Sequence, residues 1–139
     1  MTIPKDPVAS LGLAGFADAL RQGEITSEQA VTAYLLRIEA LNPLLDAYET
    51  VDSKRALATA RAMDTLLANG VDLGPLMGLP VSVKDLVVLD GISPHVGSNL
   101  PLQDKLGTQE GTFIRALKSS GCVILGTTKM VEFALGITG

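Results

Sequence analysis

The sequence predicts an α/β fold in which N-terminal helices lead into the start of a mixed, mainly parallel sheet covered by helices. Three observations predict it. Apolar residues recur at helical spacing through residues 1–70. From Gly74 onward the pattern changes to short β-branched runs broken by turns. A strand, a helix and a second strand then follow one another between Leu79 and Leu125, the order of a βαβ unit. At 139 residues, 47% of them hydrophobic, the chain is long enough to bury one core. A single domain portion is expected over 1–139, helical over 1–70 and α/β over 71–139.

The first helix is expected from Ser10 to Leu20, apolar nearly all round through Leu11, Leu13, Phe16 and Leu20, with a break at Gln22-Gly23. Thr26-Ser27-Glu28-Gln29 has the spacing of a capping box, and Ala30, Val31, Tyr34, Leu35, Ile38 and Leu41 repeat at helical period behind it. Asn42-Pro43 should stop this second helix, because a residue before proline is pushed out of the α region. A third helix is expected from Asp52 or Ser53 to Ala68, capped by Asn69-Gly70.

Leu79 to Lys84 and Leu86 to Leu89 read as β-type runs before an Asp90-Gly91 turn. Gly97 to Gly107 reads as loop. Thr108 is expected to cap a helix holding Phe113, Ile114 and Leu117, ended by Ser120-Gly121. Cys122 to Leu125 is a short continuous apolar run, as in a sheet covered on both faces. Met130 to Leu135 reads as helical.

A formal charge of −4 offers no clustered basic face, so nucleic acid is not an expected partner. Cys122 is the only cysteine, which rules out an internal disulfide and suits a reducing compartment. No basic-then-apolar leader stands at Met1 to Lys5, and no apolar stretch approaches the ~20 residues that cross a bilayer. The expected setting is the cytoplasm, without membrane association.

The candidate for chemistry is Lys84, at the end of Gly78-Leu79-Pro80-Val81-Ser82-Val83-Lys84-Asp85-Leu86. Strand alternation puts Lys84 on one face with Ser82 and turns Asp85 away to cap the following turn. Ser82 then becomes a partner for backbone or for the amine. A lysine acting as general base near neutral pH must give up a proton that it holds to about pH 10.4 in water. Burial supplies the required ~4 kcal/mol by disfavouring the charged form, so Lys84 is expected to be buried. By spacing alone, Lys84 also reads as a strand-end lysine that reaches to solvent and guards a sheet edge.

Other constellations carry less. Gly121 and Gly126 approach phosphate-loop spacing, but Cys-Val-Ile-Leu between them is too apolar for a phosphate cradle and no lysine stands directly after Gly126. Cys122 with His95, the single histidine, could form a thiol nucleophile and base, yet a cysteine opening a Val-Ile-Leu run reads as a small buried hydrophobe. One histidine and one cysteine make no tetrahedral metal cluster. Glu132 suits the start of a helix through the dipole alone and is not assigned to the site.

The chain resembles the amidase signature family along nearly its whole length. The resemblance is carried by the capped helix Thr26 to Leu41 with Asn42-Pro43, the Gly78 to Leu86 motif, Gly97-Ser98, and Ser120 to Ala134 with its Glu132-Phe133 pair. It implies a serine hydrolase that cleaves a carboxamide C–N bond without a cofactor. Lys84 would be the triad lysine, deprotonating a cis-peptide serine that in turn deprotonates the nucleophilic serine. The chain departs from the family pattern at Thr127-Thr128-Lys129 and at Pro94-His95-Val96, positions that bear on the shape of the substrate pocket.

The family's two catalytic serines lie in a Gly-Ser-rich segment after the Glu-Phe pair, and none occurs here before Gly139. The adjacent Ser119-Ser120 reads as a helix terminus. The resemblance therefore implies a chain that supplies only the lysine and is inactive alone, its substrate a small amide in the complete protein. Uncovered sheet surface is expected to seek a partner or aggregate. Amidotransferase A subunits acting on tRNA share the motif, and a non-catalytic interaction or scaffold module using the N-terminal helices is the alternative of another class.

Overall fold

The computed structural model describes residues 3–9, 11–102 and 105–137. Its first helix, α1 (Gly12–Gln22), buries Phe16, Ala17, Ala19 and Leu20 and leaves Leu11 and Leu13 in solvent. Ser10, the expected first residue, lies outside the described residues. Gly23 at φ 72° terminates α1 by donating its N–H to the carbonyls of Ala19 and Leu20, a left-handed cap that glycine adopts without penalty.

Helix α2 (Ser27–Leu45) opens on the expected capping box, in which Gln29 N–H donates to Thr26 Oγ1 and Thr26 N–H to Gln29 Oε1. Its N-terminus is capped a second time from a distance, because the Asp64 carboxylate accepts the N–H groups of Ser27 at 2.7 Å and Glu28 at 2.9 Å. Asp64→Ala removes both acceptors and is expected to cost about 0.5–2 kcal/mol, the range of a lost helix cap, read as a lower urea midpoint. An unchanged midpoint would mean that water serves those donors equally well.

Asn42-Pro43 does not stop α2, which runs on to Leu45 with Pro43 inside. Proline forgoes one helical hydrogen bond near a terminus, and tertiary ties outweigh that loss. The Asn42 side chain grips the Tyr48 peptide from both sides, accepting its N–H and donating to its carbonyl. The helix ends instead at Asp46, in the left-handed region at φ 48°, whose N–H reaches Asn42 O.

A strand that the sequence did not reveal follows, β1 (Tyr48–Val51), and then α3 (Ser53–Ala68), which starts where expected and has Asp52 as its N-cap. The two remaining strands are β2 (Pro80–Lys84) and β3 (Val123–Thr128), separated by helix α4 (Thr112–Ser119). The sheet has the order β1-β3-β2, with β2 parallel and β1 antiparallel to the central β3. It is therefore a mixed sheet under helices, and the helical half contributes one of its strands.

Four local expectations are corrected. Gly111, not Thr108, is the N-cap of α4. Leu86 to Leu89 forms turns with a single antiparallel bridge, Leu89 to Ile92, because the chain reverses at once around Asp90-Gly91. Strand β3 continues past Leu125 to Thr128, held on both edges by neighbours. Met130 to Leu135 holds only the 3₁₀ turn Glu132–Ala134, broken by Phe133 and Ala134 in the left-handed region at φ 51° and 60°.

Three buried clusters hold these layers together. Phe16, Ala17, Leu20, Ala30 and Leu79 join α1 and α2 to the entry of β2. Val31, Ala56, Ala60, Val123 and Leu125 pack α2 and α3 on one face of the sheet. Val83, Leu89 and Ile114 pack α4 on the other. The entry of β2 is also pinned by polar contacts, since Ser27 Oγ donates to Gly78 O and Gly78 N–H to Gly121 O. These ties hold the start of β2, and Lys84 is its last residue.

Candidate active site at the carboxyl ends of β2 and β3

In open α/β sheets, ligands gather beyond the carboxyl ends of parallel strands, where side chains and turn peptides from neighbouring strands converge. Here the parallel pair β2 and β3 ends at Lys84 opposite Thr128. Lys84 Nζ donates to the carbonyl of Lys129 at 2.5 Å.

Lys84 is exposed, contrary to the expected burial. The reason lies in topology. Strand β2 is an edge of the three-stranded sheet, and the face bearing Lys84 opens onto a depression of about 720 Å³ at the ends of α2, β2 and β3. Leu45, Leu86, Met130, Val131 and Ile137 supply its apolar side, while Asp46, Lys129 and Lys84 itself add charge to the rest of its lining.

Asp85 meets half of its expectation, because its carboxylate serves a loop ten residues on and not the turn that follows it. It turns away from the amine, is 1% exposed, and its Oδ2 accepts the N–H groups of His95 at 2.8 Å and Val96 at 3.0 Å. The carboxylate ties the 95–98 loop to the end of β2. Gly97 then lies so close to the chain after β3 that a Cβ there would meet Met130 O at 2.5 Å. Ser98, 7% exposed, donates its hydroxyl to Glu132 Oε1 at 2.7 Å. Three segments distant in sequence, at Lys84-Asp85, Gly97-Ser98 and Glu132-Phe133, thus meet at one point.

Ser82 pairs with neither the amine nor backbone. Its hydroxyl lies 2.5 Å from Tyr48 Oη, a partner that sequence reasoning missed because β1 went unread. The signal was present in the alternation of Tyr48-Glu49-Thr50-Val51, but four residues between two helices are too few to separate a strand from a connection. Beside this pair, Lys129 Nζ bridges Asp46 at 2.9 Å and Glu49 at 3.7 Å. The Asp46 carboxylate, foremost, holds the Lys129 ammonium above the usual lysine range.

The remaining candidates separate. His95 Nδ1 faces Glu49 Oε1 at 3.5 Å, whereas Cys122 is buried at the opposite end of β3 with its Sγ near Leu76 O, so no thiol–imidazole pair forms. Gly121 lies just before β3 and Gly126 inside it, so the pair forms no phosphate loop. Ser119 and Ser120 bond back to the carbonyls of Arg115 and Leu117 as helix-terminal residues. Among the described residues no group of three or more His, Cys, Asp or Glu could hold a metal ion, and no helix is long and apolar enough to cross a membrane. The groove of about 780 Å³ along α2 and α3, lined by Leu35, Leu36, Ile38 and Leu57, offers apolar surface remote from the amine.

Thr127 is fully buried on β3, and its Oγ1 has no hydrogen-bond partner among the described residues. A buried, unserved hydroxyl costs about 1–3 kcal/mol in desolvation. Thr127→Val keeps the shape and removes that cost, so it is expected to raise the urea midpoint by the equivalent of about 1 kcal/mol. A lowered midpoint would show that the hydroxyl is served after all.

Known proteins are similar in sequence and fold. The chain is 40% identical over 129 residues to the A subunit of the glutamyl-tRNA(Gln) amidotransferase of Streptomyces coelicolor, covering 93% of this chain and 26% of that protein. It is 40% identical over 131 residues to the 2-amino-5-chloromuconic acid deaminase of Comamonas testosteroni, covering 94% and 28%. The solved peptide amidase of Stenotrophomonas maltophilia superposes with a TM-score of 0.83 at 31% identity, over 93% of this chain and 26% of that one. The chain thus spans about a quarter of the length of these relatives. With the family model named Amidase matching residues 29–139, the chain belongs to the amidase family.

Proposed function

We propose that residues 1–139 are the N-terminal portion of an amidase domain that hydrolyses a carboxamide C–N bond, with Lys84 as the general base of a Ser-cisSer-Lys triad. The observation that carries this reading is the position of Lys84. It ends a parallel strand at the rim of a depression with apolar and charged walls, and its amine is already oriented by the Lys129 carbonyl. Further chain packed over the depression takes the amine out of water, which disfavours its charged form and readies it to accept a proton. The base then takes the proton of a cis-peptide serine, which takes that of the nucleophilic serine. The serine oxygen bonds to the carboxamide carbon, the C–N bond breaks and the amine leaves with the relayed proton, and water then cleaves the acyl-enzyme to the acid.

Both serines are assigned to sequence outside residues 1–139, so the 139-residue chain alone is read as inactive. Ammonia release from simple carboxamides tests this: none is expected from the isolated chain. Turnover by that chain, abolished in Lys84→Ala, would overturn the division of labour. The setting proposed is cytoplasmic and the substrate a small amide. No cofactor or metal, nucleic acid or membrane takes part, and the apolar surfaces along α2 and around Ile137 associate with the rest of the domain.

A second reading, part of a tRNA-dependent amidotransferase A subunit, draws on the 40% identity to the S. coelicolor protein. The deaminase relative is equally similar, so identity alone does not choose between them. Glutamine-dependent ammonia release that requires co-expressed partner subunits would favour the second reading.

A further inference from the structure

The Lys129 carbonyl accepts the hydrogen bond of Lys84, and its own position is fixed from two sides. Upstream, Lys129 N–H donates to Ala47 O at 2.9 Å and its side chain bridges Asp46 and Glu49. Downstream, the chain must turn through Phe133 and Ala134 at φ 51° and 60°, a conformation that side-chain-bearing residues keep only where their surroundings hold them there.

The 95–98 loop provides the hold. Phe133 N–H donates to Val96 O at 2.9 Å, and Gly97 packs against the peptides of 130–132 with no space for a Cβ. The hydroxyl of Ser98 donates to Glu132 Oε1 at 2.7 Å. This loop is in turn tied to the end of β2 by Asp85. A closed circuit therefore runs from β2 through the loop to the segment after β3 and back through the Lys84 amine.

We propose that Ser98 and Glu132 are positioning residues for Lys84, their hydrogen bond closing a clamp that holds the Lys129 carbonyl where it orients the amine. This rests on the reading of Lys84 as the base. Glu132 acts through Ser98 and the backbone, not by its charge on the amine, because the oxygen that matters is engaged by the Ser98 hydroxyl. Glutamine can replace it, since an amide oxygen accepts the same bond.

The test is competitive acetylation of the 139-residue chain with acetic anhydride, reading Lys84 against the exposed Lys54 of the same molecule by mass spectrometry. A hydrogen bond to a carbonyl engages and restrains the amine, so its loss frees Lys84 to react. Ser98→Ala and Glu132→Ala are expected to raise the Lys84 to Lys54 ratio about three- to tenfold, the factor carried by one lost hydrogen bond, while Glu132→Gln stays within about twofold. A ratio unchanged in both alanine variants overturns the proposal, and so does Glu132→Gln matching Glu132→Ala. An equal rise at both lysines marks general loosening and overturns it too. Should Ser98→Ala fail to fold, Glu132→Asp, which keeps the charge and withdraws the oxygen by one methylene, carries the same expectation. This readout is independent of hydrolysis, so the clamp can fail while Lys84 remains the base, and the reverse.

Discussion

Lys84→Met, made in a protein that carries these residues together with the rest of an amidase domain, is expected to lower kcat for carboxamide hydrolysis by about 10²–10⁴-fold, the contribution of a positioned general base. Methionine keeps much of the length and apolar stem of lysine and lacks the amine. Because Lys84 is exposed and engages one carbonyl, the substitution should change the stability of the 139-residue chain by no more than about 0.5 kcal/mol. The loss can therefore be read as chemistry and not as unfolding. Lys84→Arg should fare no better, since a guanidinium does not give up its proton. Steady-state kinetics on a simple amide, beside a urea melt of each variant, make the measurement. Full turnover in the methionine variant would end the assignment of Lys84.

The second large effect concerns the sheet. Gly126→Ala is expected to destabilise the chain by at least about 1–3 kcal/mol, the cost of overpacking a tight site. A Cβ at 126 would overlap the carbonyl oxygen of Thr50 and come within 2.9 Å of Val51 Cα and 3.0 Å of Thr50 C. Every one of these atoms is backbone of β1, so no rotamer change relieves the clash. Strand β1 has to move off β3, which would break the Tyr48 to Ser82 contact and loosen the Ala47 hold on Lys129 beside the amine. Hydrogen exchange should show protection lost first at Tyr48 to Val51, together with a lower urea midpoint. Wild-type protection in that strand would show that β1 and β3 are not packed this closely.

How much of this could be read beforehand depended on how local the cause was. The capping box at Thr26, the Asp52 start of α3, the alternation that separates Lys84 from Asp85, and the end of α4 at Ser120 are each decided within a turn or a few strand residues. The structure agrees at each of them. Pro43 misled because the rule for the residue before proline is also local, while Asn42 is held by a peptide six residues on. Thr108 misled because any hydroxyl before an apolar run imitates a cap, and glycine at 111 serves without one. The missed strand β1 cost the reading Tyr48, the partner of Ser82.

Periodicity, capping chemistry and one nonapeptide in the sequence were enough to determine the α/β class, the starts of α2 and α3 and the lysine at the end of a strand, because each is a property of neighbours along the chain. Only the tertiary structure decided that β2 is an edge and leaves the amine in water, that β1 inserts on the far side of β3, and that Ser98 and Glu132 close on each other behind Lys84. Those outcomes depend on which distant peptides compete for the same space and the same hydrogen-bond donors, and that competition is settled only when the layers pack.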